Sequence, residues 1–149
     1  MTDLPTAGRI EGREHLLPVR VYYEDTDFTG VVYHGAYVRF LERGRSDFLR
    51  LSGISHAELA TGADPYAFAV TDLSIAFKRA ARVDDALLVR TTYEAVKGPR
   101  LLIAQQILRG EELIAQAQVE AVCVDLAGRA RRPPASLVAA VQPLLAPRG

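Results

Sequence analysis

The chain has no tryptophan and only one cysteine and one methionine. A lone Cys123 can close no intramolecular disulfide. Between Val122 and Val124 it reads as a core thiol in an apolar strand, with no basic neighbour in sequence to activate it. Charge of one sign is also missing: 18 basic and 18 acidic side chains cancel, which removes the basis for general nucleic-acid or membrane-surface binding. No apolar run approaches the ~20 residues that a spanning helix needs. Residues 1–10 lack the basic start and apolar run of a secretory signal. A cytoplasmic protein that does not cross a membrane is therefore expected. His15, His34 and His56 stand at no ligand spacing, so no metal site is expected. The absence of Gly-x-Ser-x-Gly and Gly-x-x-x-x-Gly-Lys argues against a serine hydrolase and a P-loop enzyme.

What is present suits a single domain. Its 149 residues can bury one core. Residues 1–14, polar and glycine-containing, read as a flexible tail, with one domain over 15–149. From Leu16 to Glu24 the chain alternates as a strand, with Val19, Val21 and Tyr23 on one face, which leaves core packing open as the role of Tyr23. A polar turn, Glu24 to Gly30, leads to a helix over about His34–Ser52, with Tyr37, Phe40, Leu41, Gly44, Phe48 and Leu51 on one face. Arg43 and Asp47 stand at an i,i+4 spacing that predicts an ion pair. Gly44, costly in mid-helix, predicts close approach of the helix backbone to a flat surface. After a loop from Ser55 to Pro65, turns near 82–85, 97–99 and 109–111 divide four long strands. Pro133-Pro134 ends the last, and Ala135–Leu145 predicts a short helix. This order predicts an α+β architecture of hot-dog topology: a long central helix wrapped by a five-stranded antiparallel sheet. A ferredoxin-like fold would need a second helix between the later strands.

The segment Val19–Arg45 carries Tyr23, Asp25-Thr26-Asp27, Gly30-Val31-Val32-Tyr33-His34, Tyr37, Glu42-Arg43 and Arg45. It resembles the 4-hydroxybenzoyl-CoA thioesterase family, and within it the branch of Tol–Pal system-associated acyl-CoA thioesterases. Val122-Cys123-Val124-Asp125 and Arg131-Arg132-Pro133-Pro134 are similar to that branch too, so the resemblance spans about residues 17–140. It implies a hot-dog homodimer or homotetramer with active sites at the dimer interface, acyl-CoA thioesters as substrates, and no cofactor. By motif match it assigns Asp27 as the catalytic aspartate and the backbone N–H near His34 and Gly35 as the oxyanion donor. Tyr23 and His34 match positions near the active site.

The residues can support that chemistry. A thioester is activated, so one carboxylate can act as general base to water or attack the carbonyl itself. A helix N-terminus supplies unpaired N–H donors where charge develops. Asp27 precedes His34 by only seven residues. A loop aspartate held by local backbone is the competing account of Asp27. Asp25 reads as a loop-ordering residue, and Glu42 as an ion-pair partner on the helix. His34 could orient water or assist the leaving thiol; a packed interface residue is its alternative. Gly30, Tyr33 and Gly35 are the expected substrate contacts around the loop. Lys97 and Arg100 are the expected cationic contacts to coenzyme A phosphates. Two other readings keep the fold: hydrolysis of thioesters carried on acyl carrier protein, and a non-catalytic acyl-binding scaffold.

Overall fold

The computed structural model describes residues 7–54 and 64–145, with Asp3, Pro5 and Gly62; His56 and most of the loop after the helix lie outside them. The elements are β1 (Arg9–Glu11), β2 (Glu14–Arg20), α1 (His34–Leu51), β3 (Ala67–Phe77), β4 (Ala86–Lys97), β5 (Arg100–Arg109), β6 (Glu112–Val124) and α2 (Ala135–Val141). Six strands form one antiparallel sheet in the order β1-β2-β4-β5-β6-β3. The expected five-stranded sheet gains β1, because residues 9–11 fold back to pair with 14–16 and belong to the domain instead of a tail. Pro18 is tolerated in β2 because β1 begins only at Arg9, opposite Leu16, and leaves the outer edge of β2 free beyond that point.

The period-2 pattern of β4 turns Leu87, Val89, Thr91, Tyr93 and Ala95 inward. Irregular register in β3, β4 and β6 bends the sheet around α1. The core divides along the helix. Tyr37, Phe40 and Leu41 pack with Val19, Val21, Val89 and Ile107 near its start. Phe48 and Leu49 pack with Ile103, Val119, Leu137 and Val141 near its end, and Phe48 stacks on Tyr93 at 4.3 Å.

Between the clusters the helix backbone touches the sheet. A Cβ on Gly44 would lie 2.8 Å from Val89 and 2.9 Å from the Thr91 hydroxyl, so the predicted close approach is observed. The buried Gln105 amide fastens the contact, donating to the Leu41 carbonyl and to Thr91, each at 2.9 Å. The Arg43–Asp47 pair does not form. Asp47 faces inward, where it accepts from His15 Nε2 at 2.7 Å and the Gly8 N–H at 2.8 Å, and it pairs with Arg50. His15, just ahead of the strand predicted from Leu16, is therefore a fully buried strand residue. Cys123 is buried as expected, and burial pushes its thiol up.

Candidate active site

β2 ends sooner than its alternation predicts. The Tyr22 N–H is captured at 2.9 Å by the Asp25 carboxylate, and a 3-10 turn over Tyr23–Asp25 replaces the ladder. Tyr23 consequently leaves the core face and stands 86% exposed. Asp25 and Asp27 part company here. Asp25 is buried and ties the turn to the helix: its carbonyl accepts the Tyr33 N–H at 2.9 Å, and its carboxylate lies 3.4 Å from Arg39. Asp27 is left at the surface.

After Asp27 the chain reverses. The Asp27 carbonyl accepts the Gly30 N–H and its own N–H donates to the Val31 carbonyl, both at 3.0 Å. Gly30 sits at φ 85°, a conformation that favours glycine. Thr26 bridges Val32, and Val32 donates to the Ala81 carbonyl at 2.8 Å, which stitches the loop to the entry of β4. Asp27 is thereby folded back beside the residues that enter α1.

The carboxylate accepts both the N–H and the hydroxyl of Thr29 on Oδ1. Those bonds, with the charge of nearby His34, hold Asp27 below the ordinary carboxylate range, so it is ionised at neutral pH. This is the loop-held aspartate of the competing account, yet only one oxygen is engaged by other described residues.

Helix α1 starts without a side-chain cap. Ala36 N–H turns back to the Tyr33 carbonyl at 2.8 Å, whereas the N–H groups of His34 and Gly35 find no acceptor among the described residues. These two donors face the positive end of the helix dipole. The Tyr33 ring lies over Gly35, where a Cβ would come within 2.5 Å of it. The Tyr33 and His34 rings are 4.5 Å apart, and Phe77 stands 6.5 Å from His34 and 5.6 Å from Tyr37. Phe28, fully exposed, and half-exposed Tyr33 and Phe77 make the surroundings apolar and open. A cavity of about 800 Å³ between α1 and β2 is lined by Tyr22, Asp25, Arg43, Asp47 and Arg50, but not by Asp27 or His34.

Asp27, Gly30, Tyr33, His34 and Gly35 are thus brought together, with Tyr23 on the adjoining turn. Lys97 and Arg100 are not. They flank the hairpin at the far end of β4, about 35 Å along the strand from Ala86. Arg100 pairs with Glu120 at 3.1 Å. Glu42 forms no ion pair among the described residues. Arg131, in the basic-proline segment, forks onto Asp64 at 2.7 and 3.0 Å. From the sequence Thr29 carries only a turn signal, and Phe77 reads as an alternating strand residue that could line an acyl tunnel or pack in the core. Among the described residues no cluster of three metal-ligating side chains occurs, and no helix is long and apolar enough to cross a membrane.

The family model described as the thioesterase-like superfamily matches residues 21–142. An acyl-CoA thioester hydrolase, YbgC, of Escherichia coli O6:H1 is 43% identical over 124 residues, 82% of this chain and 91% of that protein. An acyl-CoA thioesterase YbgC of Haemophilus influenzae is 43% identical over 109 residues, 73% of this chain and 79% of that protein. The crystal structure of a probable thioesterase from Bartonella henselae superposes with a TM-score of 0.79 at 41% identity, covering 81% of this chain and 99% of that one. With a long helix embraced by an antiparallel sheet, and a match running from the end of β2 into α2, the chain belongs to the thioesterase-like superfamily and has its hot-dog fold.

Proposed function

We propose that the protein hydrolyses acyl-CoA thioesters to the free acid and coenzyme A at the Asp27 loop. The observation that carries this reading is an ionised carboxylate with one oxygen free among the described residues, folded back towards a helix start that keeps two N–H donors unpaired among them. The names of the relatives supply the substrate class. In one course Asp27 takes a proton from water as the water oxygen bonds to the carbonyl carbon. The oxyanion rests on the His34 and Gly35 N–H groups. Collapse then breaks the C–S bond, and the thiolate leaves and is protonated. In the other course Asp27 attacks the carbon, expels the thiolate and leaves a mixed anhydride that water opens. The His34 imidazole is suited to protonate the departing sulfur in either.

A second copy would complete the site. β3 ends the sheet, and its outer edge is unpaired among the described residues. Two-fold antiparallel pairing there sets the Ala67 end of one β3 beside the Phe77 end of the other. Val122 stands opposite both Ala69 and Arg100, so the Lys97–Arg100 hairpin belongs to the Ala67 end. Pairing would carry that hairpin of one protomer to the Phe77–His34 region of its partner, where coenzyme A phosphates need cations.

The test is thiol release from a panel of acyl-CoAs, short to long and aliphatic to aromatic, by wild type and Asp27→Asn. Release that collapses in the variant supports the reading. Silence of the wild type towards every CoA ester, with release from acyl carrier protein thioesters, would transfer the activity to that carrier. Label in the Asp27 side chain after a single turnover in oxygen-18 water would establish the anhydride route, because only opening of the anhydride at the Asp27 carbonyl places it there.

A further inference from the structure

The Asp27 carboxylate is constrained beyond what its turn requires. A loop aspartate commonly accepts the N–H of the residue two positions on, and the Thr29 N–H makes that bond at 2.8 Å. The Thr29 hydroxyl then adds a second bond to the same oxygen, Oδ1. The turn does not need it, since the backbone is already held through Val31, Gly30 and the Thr26–Val32 bridge. Rotation about the last side-chain bond of an aspartate is broad and nearly two-fold. Unrestrained on an exposed loop, the carboxylate would present either oxygen over a wide range of angles. Two donors on Oδ1 remove that freedom and leave Oδ2 without a partner among the other described residues.

We propose that Thr29 is a positioning residue for the reaction: its hydroxyl locks Asp27 through Oδ1 and commits Oδ2 to the water or the thioester carbon. The proposal rests on the thioesterase reading above. Among the described residues Thr29 makes no hydrogen bond to the helix-start donors or the His34 ring, and its side-chain bond goes to Asp27. The hydroxyl bond is strongest to the charged carboxylate, so its removal should also let Asp27 titrate at higher pH.

The experiment compares Thr29→Ser, which keeps the hydroxyl, with Thr29→Val, which keeps the shape and loses it, each alone and with Asp27→Asn. Thr29 is exposed, so neither change should disturb folding. Thr29→Ser is expected to retain wild-type turnover. Thr29→Val is expected to lower kcat about tenfold with KM within about twofold, as for a lost interaction made in the transition state. The acidic limb of its kcat profile should move to higher pH, because activity requires ionised Asp27. In the Asp27→Asn background, Thr29→Val should cost nothing further. Wild-type turnover and an unmoved acidic limb in Thr29→Val would overturn the proposal. So would a loss that persists in the Asp27→Asn background, which would mark general loop damage. An inert wild type would remove the thioesterase reading and this inference with it, whereas an active wild type silenced by Asp27→Asn isolates the test to Thr29.

Discussion

The two ends of helix α1 face the same sheet but are built on opposite terms. At the start, two N–H groups lack partners among the described residues, the aspartate in front of them is half-buried, and the neighbouring rings of Tyr33, Phe28 and Phe77 stand open to solvent. At the other end Phe48 is fully buried on Tyr93, and Asp47 sits near the negative end of the helix dipole, where a carboxylate is disfavoured. There His15, the Gly8 N–H and Arg50 all bond or pair with it. Open donors and exposed apolar rings are concentrated where a reaction needs them, and the buried carboxylate with its several partners lies where the fold needs stability. Changes at the start should therefore move activity without stability, and changes at the end the reverse.

The largest effect is expected at Asp27. Asp27→Asn should lower thiol release about a thousandfold, within the range of a lost general base, while the thermal midpoint stays at the wild-type value. A matching fall in the midpoint would break the comparison at its first point. Phe48→Ala should cost about 4 kcal/mol of unfolding free energy in urea, through lost burial and the cavity left against Tyr93. Turnover per folded molecule should stay unchanged; a change of more than severalfold would show that the two ends are coupled.

Asp47→Asn comes next, at about 2 kcal/mol, for weakening three partners of a buried acceptor. Burial pushes the Asp47 carboxyl up, but the bonds from His15 and Gly8 and the charge of Arg50 more than offset this, so it titrates below its ordinary 3.8. A depressed folded pKa contributes stability that is present above the unfolded value and lost as pH falls through the folded one. Wild type should lose stability below about pH 4, and Asp47→Asn should show a shallower acid dependence in urea titrations there. An equally steep dependence in the variant would place the acid sensitivity elsewhere.

The smallest effect is the one that sharpens the comparison most. Gly35→Ala should raise helix stability by up to about 1 kcal/mol. It must also push the Tyr33 ring from its place, because the new Cβ would meet the ring at 2.5 Å. Turnover should fall about tenfold as the donors lose their setting. Activity and stability would then move in opposite directions at one residue, and a variant as active as wild type would show that the ring's position does not matter.

Sequence alone determined the local parts of the protein. The helix from His34, the strands and their hairpins, Gly44 against the sheet, and the close succession of Asp27, Gly30 and His34 all follow from short-range spacing. Tertiary structure decided the rest. Period 2 places Tyr23 and Val21 on one face, but it cannot say that the Asp25 carboxylate ends the ladder between them. Nor can it separate Asp25, buried as an anchor, from Asp27, left half-buried at the surface two residues on. His15 meets Asp47 across 32 residues, and Phe77 meets His34 and Tyr37 across the width of the fold. Lys97 and Arg100, read as contacts to coenzyme A phosphates, lie a strand's length from the Asp27 loop of their own protomer. Periodicity records which face of an element is buried. Strand order and register, set by packing between distant segments, record what that face meets and at which end.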